Sequence, residues 1–568
     1  MKRRDFLTTT IALLLLLIGG AASQEKQNIL FIAIDDQNDW IHCFGGHPQV
    51  KTPNIDKLAS EGIRFMNAHC AVPICGPSRA ALFTGKQAWH TGVYVNDNKS
   101  LEVVGRQFMT MPQRLREEGY NTYGAGKVFH GNINNYPADL FTDYGPGYNQ
   151  FQPLTSKEAN YTDRELNSEV DKVYLTHTVD RGPGKLKATF PLNKMPRERR
   201  LESRKIESFD WGPLPVEDEE MDDYKTADWV IGKLKEKHEK PFFMAAGFYR
   251  PHIPLYIPQK YYDMYPPDQV QLPDFVKDDL ADIPLVGKDF ALIAYSAGTH
   301  KNVTGHKQWR EAVACYLACI SFVDQQVGRI LKALEESPYR DNTTIVLWGD
   351  NGWHLGEKEH WGKFTGWEES TRIPMIIVPP KNRGHEFSRN TECTQPVGLI
   401  DLYPTMMALN NIPLRDALDG SSLVPLLIDP VKKYSGHVIS TFGRGNHSIR
   451  TEGWRYTRYY DGSEELYDLN QDPGEYKNLA HTNSYIEIKL ELKKKMPDHN
   501  EVEYFVSMGH WKAIICKDRS RSELFDFGDN RAVPEEKNVY HEHPEIVEKM
   551  LSFIKENNIS EKYLSIPE

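Results

Sequence analysis

Asn28, Ile29, Leu30, Phe31, Ile32, Ala33 and Ile34 form an unbroken apolar run that ends in two carboxylates, Asp35 and Asp36. A strand with one wet face alternates apolar and polar residues, so a run without alternation predicts a strand buried on both faces of a parallel sheet. Thr343 to Trp348 repeats this form and ends at Asp350 and Asn351. In open α/β sheets, ligands gather beyond the carboxyl ends of the strands. Two distant strands that both end in oxygen-bearing side chains therefore predict one site assembled from separate segments. Lys240 to Phe248 and Pro374 to Val378 read as further strands, and Pro53 to Ile63, Thr110 to Glu118, Asp223 to Lys235 and Ala312 to Glu335 read as helices. That alternation predicts an α/β fold: a mostly parallel central sheet with helices on both faces.

The 568 residues exceed what one core holds, so a large α/β domain with a smaller second lobe is expected. Hydrophobic residues at 40% and charged residues at 26% are globular values. A net charge of −11 argues against nucleic acid as a partner, which would need a basic face to neutralise phosphates. It also requires a local basic pocket for any anionic substrate. At the start, Lys2, Arg3 and Arg4 precede an apolar stretch to Ile18 and small residues to Ser23. This is the layout of an export signal and is too short for a membrane span, so the mature chain is expected to carry no transmembrane segment. Arg3, Arg4, Phe6 and Leu7 also fit a twin-arginine motif, which points to a periplasmic destination; an ordinary signal with a basic head is the alternative.

The seven cysteines are too sparse for a disulfide scaffold. Cys315 and Cys319 share a helical face and read as buried thiols. Val179 to Ser208 is rich in Lys and Arg and reads as a long surface insertion. Past Tyr434 the pattern turns to short β-like segments. There Trp454, Arg455, Tyr456 and Glu465 to Leu469 are echoed by Trp511, Lys512, Ala513 and Glu523 to Phe527. Asp472 to Glu475 with Asn478 and Leu479 has a looser echo in Val533 to Glu536 with Asn538 and Val539. The expected organisation is a signal over 1–23, a catalytic domain over 24–435 and a smaller C-terminal α+β subdomain over 436–568 with a weak internal repeat.

Cys75, Gly76, Pro77, Ser78, Arg79, Ala80, Ala81, Leu82, Phe83, Thr84 and Gly85 carry the chemistry. A buried thiol beside a turn would explain each residue separately but not their order. The string resembles the signature of the type I sulfatases, in which a maturation enzyme oxidises the Cys to Cα-formylglycine. The resemblance implies an alkaline-phosphatase-like fold and a Ca²⁺ ion held by Asp35, Asp36, Asp350, Asn351 and residue 75. Oxygen donors without a Cys or His cluster suit Ca²⁺ better than Zn²⁺. A second family signature matches Gly119 to His130. It implies that Lys127 binds a sulfate oxygen and that His130 acts on the formylglycine hydrate, while Gly124 and Gly126 allow close backbone approach.

Phe242 to Pro254 resembles the strand and loop that deliver a second histidine, His252, to protonate the leaving oxygen. By the same resemblance Lys363 contacts sulfate and Arg79 orients the hydrate. His354 and His360 match no catalytic position and are expected as surface groups or supports. The Pro251 to Pro254 loop, the Asp350 to Glu357 segment and Ser448 to Thr451 look most like the iduronate-2-sulfatase branch, although Asn351 stands where that enzyme has a His. The expected activity is hydrolysis of sulfate esters on a sulfated oligosaccharide or polysaccharide, with a 2-O-sulfated uronic acid as the favoured residue and polysaccharide degradation as the role. Arg444, His447 and Arg450 are the candidate readers of a neighbouring anionic group. The competing readings are a phosphate or phosphonate ester hydrolase of the same superfamily and an inactive exported carbohydrate-binding relative.

Overall fold

The computed structural model describes residues 26–97, 99–155, 158, 177–195, 209–292, 298–499, 502–526 and 538–567. The export signal, the second half of the basic insertion and the Val533 to Glu536 part of the echo lie outside these residues.

The centre is an eight-stranded sheet in the order Thr391–Cys393, Ile63–Phe65, Met375–Val378, Thr343–Gly349, Asn28–Ile34, Phe242–Phe248, Asn121–Gly126, Asp143–Tyr144. The four strands from Thr343–Gly349 to Asn121–Gly126 are mutually parallel, and Met375–Val378 runs antiparallel to both of its neighbours. The Asn28–Ile34 strand is buried along its whole length, as its lack of alternation requires. Its residues still serve two cores. Leu30, Ile32 and Ile34 pack on one face with the long helix Trp309–Glu335 and the helices Asp222–Lys235 and Pro53–Ser60. Ile29, Phe31 and Ala33 pack on the other with Cys75–Thr84, Met111–Glu117 and Leu402–Leu409.

The expected helices and strands are present, with shifts of a few residues at their ends. Thr110 is the N-cap of the Met111–Glu117 helix and forms a capping box with Gln113. Cys315 and Cys319 are buried free thiols. The first part of the basic insertion departs from a bare surface loop. His177–Asp180 and Lys187–Phe190 pair as a hairpin, and Val179, Leu186 and Phe190 are buried in the first core.

Two four-stranded sheets follow the central one, Val438–Thr441 to Glu464–Asp468 and then a sheet built on Val502–Met508 and Trp511–Cys516. They repeat one pattern. Trp454 pairs with Asp468 in the first, and Trp511 with Asp526 in the second. The amide of Leu466 donates to Asn478 Oδ1 at 3.1 Å, and that of Leu524 to Asn538 Oδ1 at 3.0 Å. Leu479 and Val539 close the same turn, donating to the carbonyls of Leu466 and Leu524 at 2.8 Å each. The sequence echo is a repeat of hydrogen bonds as well as of letters.

Candidate active site

Four parallel strands deliver their carboxyl ends to one place. Asp35 and Asp36 follow the first, Lys127 and His130 the second, His252 the third, and Asp350 and Asn351 the fourth. Cys75 completes the cluster from the N-terminus of the Cys75–Thr84 helix, where the helix dipole favours negative charge. All ten residues of that helix are buried, and Cys75 itself is 1% exposed.

Arg79, one turn along the helix, joins two of the strands. Its guanidinium donates to Asp350 Oδ2 at 2.8 Å and Asp35 Oδ1 at 3.2 Å, and also to the carbonyls of Lys127 and Val128. Lys127 Nζ pairs with Asp35 Oδ2, and Lys363 Nζ pairs with Asp36 Oδ1 while standing 3.4 Å from Cys75 Sγ. Each buried cation thus has a buried carboxylate, the condition under which charge is tolerated in an interior. The charge balance acts on the nucleophile too. Burial pushes the Cys75 thiol up, but Lys127 and Lys363 outweigh it and hold the thiol below its ordinary range.

Asp36 is the most constrained member. Its backbone is left-handed at φ 55°, an unusual state for a residue with a Cβ. Its amide donates to Asp350 Oδ1 at 3.0 Å and its carbonyl accepts from Tyr316 OH at 2.7 Å. Asn351 Nδ2 donates to Asp36 Oδ1 at 2.8 Å and also to the Gly352 carbonyl. Asp36 Oδ2 and Asn351 Oδ1 are left buried with no hydrogen-bond partner. Orphaned buried acceptors are costly. A hard cation would satisfy both, and the donor atoms of Asp35, Cys75 and Asp350 lie within 4.8 Å of one another. The residues present therefore fit an oxygen-liganded ion such as Ca²⁺.

His252 reaches the same point from the side. Its Nε2 lies 3.5 Å from Asp36 Oδ2, and Nδ1 lies 2.6 Å from the Ile253 carbonyl and 2.9 Å from Tyr249 OH. Burial lowers its pKa, and Asp36 opposes that shift. His130 stands over Gly76. Burial first and Lys127 second push its pKa down to about 3, and its Nδ1 is buried without a partner. A neutral imidazole with an open nitrogen can accept a proton. Gly126 holds φ +71°, and a Cβ there would collide with the Gly247 carbonyl, the acceptor for the Lys127 amide at 2.8 Å.

Arg444, His447 and Arg450 are not brought into this cluster. His447 is 0% exposed, stacked on His499 and hydrogen-bonded to Thr441, so it has no face for a substrate. Arg444 is ion-paired with Glu523 at 2.9 Å, and Arg450 with Glu368 at 3.1 Å. Arg444 is thus paired within the second C-terminal sheet, and Arg450 with the turn that follows Lys363. His354 and His360 are buried rather than on the surface. His360 bridges the Ala291 and Lys363 carbonyls, and His354 contacts the Glu357 carbonyl and Thr365.

Other residues at the site were not singled out from sequence. Asn96 accepts from the Gly76 amide at 2.8 Å and points its Nδ2 at Cys75 Sγ from 3.6 Å. It sits in a loop with no periodic signal. Tyr148 and Tyr249 stack with ring centroids 5.4 Å apart and form a wall beside Lys127. Tyr249 was legible in principle, since it lies three residues before His252.

The chain is similar to known proteins along most of its length. A family model described as Sulfatase matches residues 27–412, and one described as N-sulphoglucosamine sulphohydrolase, C-terminal, matches residues 356–503. A sulfatase of Formosa agariphila is 34% identical over 482 residues, 84% of this chain and 87% of that one. Iduronate 2-sulfatase of Homo sapiens is 30% identical over 363 residues, 62% of this chain and 60% of that one. Among solved structures, a phosphonate monoester hydrolase of Silicibacter pomeroyi superposes with a TM-score of 0.65 at 21% identity, covering 83% of this chain and 94% of that one.

Proposed function

This chain belongs to the sulfatase family of sulfuric ester hydrolases, and from that premise we propose that it removes sulfate from a sulfated carbohydrate, with a 2-O-sulfated uronic acid as the favoured residue. One observation carries the reading. Cys75 Sγ stands 3.4 Å from the Lys363 ammonium and is grouped with the ligand atoms of Asp35, Asp36, Asp350 and His252, while Asp36 Oδ2 and Asn351 Oδ1 are buried without a hydrogen-bond partner. The sugar assignment draws on the 30% identity to iduronate 2-sulfatase.

In the proposed enzyme Cys75 is matured to Cα-formylglycine by a generating enzyme, and Sγ here stands in for the oxygens of its hydrate. Asp35, Asp36, Asp350, Asn351 and residue 75 would hold Ca²⁺, which when bound would supply positive charge to the nucleophile and to the sulfate oxygens. Lys127 and Lys363 clamp the sulfate oxygens, and Arg79 fixes residue 75 against Asp35 and Asp350. His252 donates a proton to the departing sugar oxygen from Nε2. His130 takes the proton whose loss lets the second hydroxyl of residue 75 expel sulfate. Export to the periplasm through the basic N-terminal signal belongs to the same proposal. Among the described residues no helix is long and apolar enough to cross a membrane.

Sulfate release from 2-O-, 4-O- and 6-O-sulfated oligosaccharides, measured beside nitrophenyl sulfate and nitrophenyl phosphate, tests the assignment. The expected result is preference for the 2-O-sulfated uronate. Efficient turnover of small non-sugar sulfates alone would remove the sugar assignment, and higher efficiency on phosphate or phosphonate esters would favour the second reading.

A further inference from the structure

Lys363 is carried by a backbone that does not hold its shape by itself. Between Gly356 and Phe364, five residues have positive φ: Gly356 at 124°, Lys358 at 54°, Glu359 at 50°, Gly362 at 122° and Phe364 at 73°. Three of them have a Cβ, and such conformations persist only where the surroundings over-determine them. The Lys363 ammonium nevertheless has to meet both Asp36 and Cys75. Something outside the loop must fix it.

The restraint comes from the first C-terminal sheet. Arg455, fully buried on its strand, donates to the Gly366 carbonyl at 2.8 Å and to Ser448 Oγ at 2.9 Å, and its guanidinium pairs with Glu368 and Glu475. The same sheet offers Glu465 to the indole N–H of Trp367 at 2.8 Å. Glu475 adds an acceptor for the Glu368 amide at 2.8 Å, and its carbonyl takes Lys358 Nζ. Directly after the lysine, the Phe364 amide donates to the Pro73 carbonyl at 3.0 Å, next to the helix that starts at Cys75. The Gly366 to Glu368 turn is therefore held by buried charges that come from nearly ninety positions further along the chain.

The second sheet repeats the device one step out. Lys512 follows Trp511 as Arg455 follows Trp454, and it donates to the Arg444 carbonyl at 2.9 Å. Glu523, in the register position of Glu465, takes the Arg444 side chain at 2.9 Å. In each copy a cation holds a backbone carbonyl of the preceding layer, and a glutamate takes a side-chain N–H from it. A buried cation and glutamate used the same way twice point to a positioning task rather than incidental glue.

We propose that Arg455 is a positioning residue for Lys363, acting through the Gly366 to Glu368 turn to hold the lysine against Cys75 and Asp36. The inference rests on the reading of Lys363 as a sulfate clamp, and the test separates the two. Sulfate release by full-length protein, normalised to aldehyde content at position 75, is measured for wild type, Lys363→Ala, Arg455→Met and the double variant. Arg455→Met is expected to lower kcat/KM by about tenfold or more in the wild-type background and by less than about twofold in the Lys363→Ala background. Arg455→Lys should recover part of the loss. Equal losses in both backgrounds would overturn the positioning role while leaving the clamp reading intact. A Lys363→Ala protein as active as wild type would instead overturn the clamp reading, and the inference with it. Should Arg455→Met not yield folded protein, Trp367→Phe enters the same cycle, because Glu465 keeps Tyr459 and Tyr467 as partners. Its expected loss is several-fold, again confined to the background that retains Lys363.

Discussion

Lys363 Nζ stands 3.4 Å from Cys75 Sγ across a sequence separation of 288 residues. The contact makes residue 75 the meeting point of four strands, one helix and a loop braced from the C-terminal sheet. Replacing Cys75 with Ala should reduce sulfate release by at least about a thousandfold while leaving the fold intact, because the side chain that attacks is gone. Peptide mass analysis of active wild-type protein should show aldehyde in place of thiol at position 75. Full activity with an intact thiol would refute the nucleophile.

Calcium should stabilise the protein independently of turnover. A ligand that binds only the folded state raises its stability by about 2.7 kcal/mol at a hundred times Kd. Melting with added Ca²⁺ and with chelator should therefore differ by about 2 °C, in wild type and in His130→Ala, which keeps every ligand, alike. Asp36→Ala combined with Asn351→Ala removes the orphaned acceptors and should abolish the difference. Retention of the full shift would place the ion elsewhere.

Arg79→Met should be costly before any substrate is added. The variant leaves Asp35 and Asp350 buried without the guanidinium that joins them, and breaking such pairs costs about 3–5 kcal/mol. Urea unfolding at neutral pH should show a loss of that order. A change below about 1 kcal/mol would mean that Lys127 or water replaces Arg79.

Asp401 sets a pH dependence remote from the site. Burial pushes its carboxyl up to about 6 against the pull of the Gly398 and Ser421 amides. The folded state then binds the proton more tightly than the unfolded chain, whose value is 3.8. Its contribution to stability is present below about pH 4 and is lost as pH rises through about 6. Asp401→Asn does not titrate but turns an Nδ2 donor toward one of the two amides, so its stability relative to wild type should carry a constant loss and shift in its favour by about 3 kcal/mol as pH rises from about 4 to 7. A gap that stays constant with pH would show that the charge is fully compensated.

Some of this was legible in the sequence for a definite physical reason. The strands ending at Asp35 and Asp350 are buried on both faces, so the need for apolar residues at every position wrote them into the chain. Ile63–Phe65 and Thr391–Cys393 are three residues each and carry no period to read. The clustering of Lys127, His130, His252 and Lys363 came from motif resemblance, because side-chain spacing alone does not reveal which loops converge. Arg444, His447 and Arg450 show the opposite limit. Sequence displays a charge but hides its partner, and Glu523, His499 and Glu368 lie far from them along the chain.

The burial of Cys75 has a meaning in time as well as in space. Its thiol is covered by Asn96, His252 and Lys363, all of which leave the ribosome after it. An enzyme that modifies this residue must reach it while those later segments are still absent or unpacked. Under the proposed maturation, activity would depend on a race between modification and folding, and a chain that folded first would be sealed in its unmodified form.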